Sequence, residues 1–289
     1  MRYIRLLPAV AGAGLVAASL LTGSAAGSQL IERNARDVAL KVSPSGRMAL
    51  LTYRAHGRMR RVAAWGAVNA RAPSPTSPQV GFALDYSGRS WRGHRNACRP
   101  YDGPALYWLV AACRARDGSY WAVQSWQRLL QPGQTPGESN AAWELHLSHW
   151  RGELAQLTIK LDWAYRRFDH VYGSLSYRGQ PVYGFNSTRQ GAPLDRYGRN
   201  VYLDTFNSSY GGGWRRENGF LTHRRTGAFC YLLSQGKGEA YRATVVGPGV
   251  TPDVFWQSNA PGPYDSARDL QANNEQRQLF SGDRFCWPN

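Results

Sequence analysis

Between turn signals this chain repeatedly alternates apolar and polar residues with a period of two. Trp143, Leu145 and Leu147 do so in one stretch, and Leu157, Ile159 and Leu161 in another. Successive side chains of a strand point to opposite faces, so the pattern specifies half-buried β-strands. Short apolar runs at 37–42, 48–53, 62–68, 142–148, 154–165, 168–177, 181–185, 200–206, 228–233, 240–246 and 253–256 sit between Gly, Pro, Ser and Asn clusters, the punctuation of strands. The clearest hairpin joins 105–115 to 119–129 through Arg116-Asp117-Gly118, because Gly readily takes the positive φ that a tight turn needs. Both of its arms are apolar on both faces, which predicts a central position. One helix is expected, from Ser266 to Phe280, with Asp265 or Ser266 as its cap.

About a dozen strands and one terminal helix give an all-β fold, a β-sandwich or jelly-roll-like architecture with one short C-terminal helix. Two small β domains are the alternative. The segment 71–79 carries Pro73, Pro75 and Pro78 and is neither helix nor central strand. It reads as a loop inside one domain spanning 27–289, because the roughly 45 residues before it are few for an independent core.

Residues 1–26 open with a short basic stretch, continue in an apolar run from Leu6 to Gly23 and end in Ser24-Ala25-Ala26. That is the grammar of a secretory signal peptide, cleaved before Gly27. The remainder holds no comparable apolar stretch, so no integral membrane segment is expected after cleavage, and the protein is expected to be secreted. Four cysteines follow, Cys98, Cys113, Cys230 and Cys286, an even number suited to an oxidising compartment. Pairing Cys98 with Cys113 and Cys230 with Cys286 staples neighbouring chain, and the two loops would contribute roughly 3 and 4 kcal/mol in the chain-entropy account. No two cysteines stand at metal-knuckle spacing.

The formal charge is +16, with 35 Lys and Arg against 19 Asp and Glu. Eleven Trp, 16 Tyr and 9 Phe exclude a disordered chain. Gly-x-Ser-x-Gly, Gly-x-x-x-x-Gly-Lys and His-Glu-x-x-His are missing, as is Gly-x-Gly-x-x-Gly after the leader, so the sequence implies no cofactor and no metal site. Two sets of residues could still support hydrolysis. Glu144 and His146 share one face of a strand, as orienter and base or as decoration of a wet face, while His149 points the other way. Asp162 and Asp169 flank a turn and could be the paired carboxylates of a glycan hydrolase.

Exposed aromatics among arginines suggest binding instead. Trp91 lies beside Arg89 and Arg92, and Tyr210 and Trp214 beside Arg215 and Arg216. An indole face packs on a sugar ring while neighbouring polar groups take hydroxyls, and guanidinium groups attract anions. The same interleaving is compatible with single-stranded nucleic acid, although no nucleic-acid-binding signature accompanies it.

The stretch from Leu157 to His170, with Tyr-Gly-Ser-Leu-Ser-Tyr from Tyr172 and Gly-Pro-Gly-Val-Thr-Pro-Asp from Gly247, resembles uncharacterised secreted proteins of high-GC Gram-positive bacteria. That resemblance implies export and a bacterial origin and transfers no functional residue. The expectation from the whole sequence is a secreted, basic, disulfide-stapled monomer. It would bind an anionic or polysaccharide extracellular polymer without catalysis, and an extracellular glycan hydrolase is the alternative.

Overall fold

The computed structural model describes residues 28–71, 74–106, 108–127, 142–164, 168–184, 186–187, 193–220, 224–233, 238–246 and 254–280. The expected leader and Cys286 lie outside them. Strands β1 (Gln29–Arg33), β2 (Arg36–Val42), β3 (Met48–Ala55), β4 (Arg58–Gly66) and β5 (Phe82–Asp85) come first. A single 3-10 turn over Arg89–Trp91 precedes β6 (Leu109–Arg114), β7 (Ser119–Gln127), β8 (Trp143–Arg151), β9 (Gln156–Ala164) and β10 (Phe168–Tyr177). Three two-residue strands follow, β11 (Gln180–Pro181), β12 (Asn186–Ser187) and β13 (Pro193–Leu194). The chain continues with β14 (Asn200–Ser208), β15 (Gly211–Phe220), β16 (Ala228–Leu233), β17 (Ala240–Val246), β18 (Val254–Asn259) and the helix α1 (Ser266–Phe280). The fold is all-β with one short helix.

The strands form four larger antiparallel sheets that pack in pairs. Sheet β1-β8-β7-β6 faces sheet β2-β3-β4-β5, and Leu51, Tyr53, Val62, Trp121, Val123, Leu145 and Leu147 fill the space between them. Sheet β11-β10-β16, with β9 paired to β10, faces sheet β15-β14-β17-β18 across a second core built on Ile159, Val171, Leu175, Leu203, Phe229 and Tyr241. Each core is the sum of inward residues from two sheets, as in aligned sandwiches. The loop after Gly66 returns to β5 beside β4 in the same sheet. Arg71 and Gln79 clamp that loop reciprocally, the Arg71 N–H donating to Gln79 Oε1 at 3.0 Å and Gln79 Nε2 to the Arg71 carbonyl at 2.6 Å.

Local chemistry explains the joints. Gly118 takes φ +81° in the tight turn between β6 and β7, while Asp117 Oδ1 accepts the Ser119 N–H at 3.0 Å. The helix starts where Asp265 Oδ1 accepts the N–H groups of Ala267 and Arg268 at 2.8 and 3.0 Å, satisfying donors that a first turn leaves orphaned. It lies on the outer face of the β9–β10 hairpin, with Ala272 and Phe280 against Tyr172 and ion pairs from Glu275 to Lys160 and from Arg268 to Asp162. Gly173 is required on β10, since a Cβ there would stand 1.8 Å from the Thr158 carbonyl oxygen of β9. Cys98 and Cys113 are bridged, tying the segment before β6 to that strand. Cys230 is also disulfide-bonded.

The two cores meet through a cation. Arg242 on β17 is fully buried and donates from Nε to Asp204 Oδ2 on β14 at 3.0 Å. Its guanidinium lies between Trp108, centroid at 4.4 Å, and Trp214, centroid at 4.2 Å. Trp108 belongs to the segment leading into β6, so an arginine of the second sandwich is capped by an indole of the first. Removing one partner of such a pair leaves a buried charge uncompensated. Arg242→Ala should therefore destabilise the protein by about 3–5 kcal/mol, read as a lower denaturant midpoint, whereas the paired change Asp204→Asn with Arg242→Met should cost less than the single change.

Candidate functional site

Strand β8 presents a histidine on each face, and the sheet neighbours decide what each one does. His149 faces inward between the sheets. It lies directly across from Trp121 on β7 and stacks on that indole at 3.8 Å with 10° between the planes. Its Nδ1 is 2.8 Å from the Gly66 carbonyl oxygen and its Nε2 is 2.9 Å from Ser119 Oγ. A carbonyl only accepts, so the neutral ring carries its proton on Nδ1. Burial is the main cause that pulls the imidazole down to about 4, against a smaller opposing effect of the hydrogen bond to Gly66.

His146 faces outward from the same core, yet it is only 9% exposed, and Ser148 beside it is 1% exposed. The wet face expected here is covered instead. Trp126 stacks on His146 at 4.2 Å, and Trp150, Tyr101, Leu106 and Tyr120 form a small apolar cluster further along. His146 Nδ1 is 2.9 Å from Ser28 Oγ and its Nε2 is 3.3 Å from Glu144 Oε2, whose partner oxygen takes Arg33 Nε at 3.1 Å. Burial lowers the imidazole pKa, although Glu144 opposes the shift. Burial raises the Glu144 carboxyl, but hydrogen bonds from His146 and Arg33 outweigh it and hold the group below its ordinary value. Ser28 and Arg33 stand at the two ends of β1, so the four groups also fasten that strand to β8.

The inward histidine borders a pocket of about 590 Å³ at one end of the first sandwich. Ser119, His149 and Asp117 line it with Trp65, Met48, Arg47 and Arg151. These residues come from the ends of β3, β4, β7 and β8 and from the two turns between paired strands, positions far apart in sequence that the sandwich topology brings together. Trp65 is 36% exposed and stands opposite Met48 in the β3–β4 register. Arg151 Nη2 donates to Asp117 Oδ2 at 2.9 Å, and Asn69 holds the Arg151 backbone from both sides. Burial raises the Asp117 carboxyl, but hydrogen bonds from Ser119 and the charge of Arg151 leave it net lowered. Gly46 takes φ +75° and lets the β2–β3 turn close on this site, since a Cβ there would meet Asp117 Oδ1 at 2.5 Å. Arg47 has no ion-pair partner among the described residues.

None of the residues expected to bind or to catalyse is among those that line this pocket, and only the loop carrying Arg89, Trp91 and Arg92 comes beside it. Trp91 is half-buried on the 3-10 turn, 5.5 Å from His94, and His94 lines the pocket. Arg89 and Arg92 flank it, exposed. Asp85 holds this loop, accepting from the N–H and hydroxyl groups of Ser87 and Ser90, and those bonds keep its carboxyl far below the usual range. Tyr210, 42% exposed, lies at the tip of the β14–β15 hairpin on the other sandwich. Trp214 turns its face onto Arg242 and packs on Phe206 at 5.3 Å. Arg215 Nη1 donates to the Trp214 carbonyl at 3.1 Å, and the Arg216 side chain lies outside the described part.

Asp162 and Asp169 do not converge. Across the β9–β10 hairpin Asp162 is opposite His170 and Asp169 is opposite Trp163, which places the two carboxylates on opposite faces. Asp162 meets Arg268 of the helix, whereas Asp169, 4% exposed, points into the second core. A carboxyl that the sequence pattern does not single out is Glu217, at a bulge of β15 between the Leu203 and Asp204 pairings. Burial alone raises it to about 7, and with Asp169 it adds to the burial that pushes the Tyr241 phenol up to about 12.

No group of three or more His, Cys, Asp or Glu is placed to hold a metal ion among the described residues, and no helix there is long and apolar enough to cross a membrane. No known protein family, curated protein or solved structure matches the chain.

The buried imidazoles make stability depend on acid. His149 and His170 resist protonation down to about 4 in the folded chain, while the unfolded chain takes protons near 6.5. In that window the unfolded state binds more protons, so stability rises with pH. Denaturant midpoints should fall from about pH 6.5 towards 4, with part of the loss offset by Glu217, which holds its proton up to about 7 in the folded chain. They should go on falling below 4 as the lowered carboxyls of Asp85, Asp117 and Glu144 take up protons.

Proposed function

We propose that the protein is exported and binds an anionic polysaccharide at the pocket of the first sandwich. The observation that carries this reading is an exposed indole, Trp65, sharing one concave site with Arg47, a guanidinium that has no carboxylate of its own among the described residues. A sugar ring packs against the indole, a carboxylate or sulfate substituent meets Arg47, and Ser119 and Asp117 offer partners to hydroxyls. Arg89 and Arg92 on the neighbouring loop extend the positive surface past the pocket, as following a polymer requires. The disulfides support an oxidising compartment, and the charge of +16 supports attraction to polyanions. Trp214 is left out of this site, because its face already carries a cation.

Trp65→Ala should weaken binding to polygalacturonate about tenfold, equivalent to ~1.4 kcal/mol, in calorimetry or co-sedimentation, with the thermal midpoint little changed. Arg47→Gln should reduce the dependence of affinity on salt, and neutral dextran should bind far more weakly than polygalacturonate. Unchanged affinity in both variants would remove the pocket from the function. Equal retention on single-stranded DNA, with the same salt slope, would point to unspecific charge attraction instead.

A further inference from the structure

The same pocket holds an arrangement whose chemistry goes beyond binding and that stands whether or not the ligand is a polymer. Ser119 Oγ and His149 Nε2 are 2.9 Å apart, within reach for proton transfer. With Nδ1–H directed at the Gly66 carbonyl, the Nε2 lone pair of the neutral ring faces the hydroxyl, and the stack on Trp121 fixes the ring plane. Ser119 has one hydroxyl proton and two acceptors around it, Asp117 Oδ1 at 2.6 Å and His149 Nε2. The proton can turn from one to the other without Oγ moving. Ser119 is 1% exposed and lies in the pocket wall, not on open surface. Arg47 and Arg151 border the same space, so positive charge stands near where an oxyanion would develop.

We propose that Ser119 and His149 form a nucleophile–base pair that hydrolyses carboxylic esters entering this pocket. Ser119 Oγ bonds to the ester carbonyl carbon while its proton passes to Nε2. The carbon–oxygen bond to the alcohol then breaks, and the leaving oxygen takes that proton from Nε2. Water attacks the acyl-serine and gives a proton to Nε2, which returns it to Ser119 Oγ as the carboxylic acid departs. Gly66 supplies by a backbone carbonyl the orientation that a carboxylate supplies in a triad.

Ser28, His146 and Glu144 form a serine–imidazole–carboxylate chain too, but none of the three lines the pocket. That chain is a structural fastening of β1 and serves as the internal comparison.

The test uses the intact oxidised protein and a fluorophosphonate probe, followed by peptide mapping, with 4-nitrophenyl acetate turnover as the second readout. The adduct is expected on Ser119, and Ser119→Ala should reduce turnover about 100-fold or more, while Ser28→Ala keeps turnover within about twofold of the parent. The charged groups facing His149 are Asp117 and Arg151. The labelling rate should stay level from pH 8 to 5 and drop as His149 gains a proton near 4, whereas a histidine of ordinary pKa would halve the rate near 6.5. No adduct on Ser119, an adduct on Ser28 in its place, or turnover that survives Ser119→Ala would each overturn the proposal. Labelling of Ser119 without polygalacturonate binding would remove the polymer reading alone, and binding without labelling would remove the ester chemistry alone.

Discussion

The arrangement of the whole molecule depends on one buried cation. Arg242 is held by Asp204 within its own sheet and by two indole faces, one of them from the other sandwich. A guanidinium tolerates this because it is planar, weakly hydrated and attracted to aromatic faces, where a lysine ammonium would lack both the stack and the fork. Trp108 adopts φ 51° to reach it. For a bulky residue that region is strained, and such strain persists only where the surroundings over-determine it. Trp108 also lies 6.4 Å from Trp126, which in turn stacks on His146. A continuous run of flat groups therefore leads from β8 to β15, and the junction is set by ring faces and one charge.

The strands that alternate cleanly are legible in the residues alone. The stretches 168–177, 228–233 and 240–246 and the helix Ser266–Phe280 have the bounds their residues imply, because period and punctuation agree there. The first disulfide is legible from spacing. β15 is not, because Gly211-Gly212-Gly213 reads as a loop, and only pairing with β14 makes a strand of it. The outer face of β8 reads as wet for a related reason. Glu144, His146 and Ser148 are polar by type, and nothing within the strand says that Trp126 and the Tyr101–Trp150 cluster cover them.

The pocket is the least legible feature. Gly46, Gly66, Asp117 and Arg151 are separated by long stretches of chain, and each has an ordinary local role: a turn glycine, a strand-end glycine, a turn aspartate and a strand-end arginine. Their meeting follows from the sandwich, which stacks the end of the β3–β4 pair over the end of the β7–β8 pair. What the residue types do signal is the surrounding chemistry. The loop holding Arg89, Trp91 and Arg92 is expected to face a ligand and lies next to the pocket through His94. The indole and guanidinium in the pocket itself give no such signal, because Trp65 lies near the end of a strand and Arg47 is one residue of an ordinary β2–β3 turn.

The Cys98–Cys113 bridge closes entirely within the first sandwich. It does not cross to the second one, so the contact around Arg242 has no covalent reinforcement from this crosslink. A reagent that opens this crosslink would therefore loosen the first half while leaving the aromatic clamp between the halves untouched.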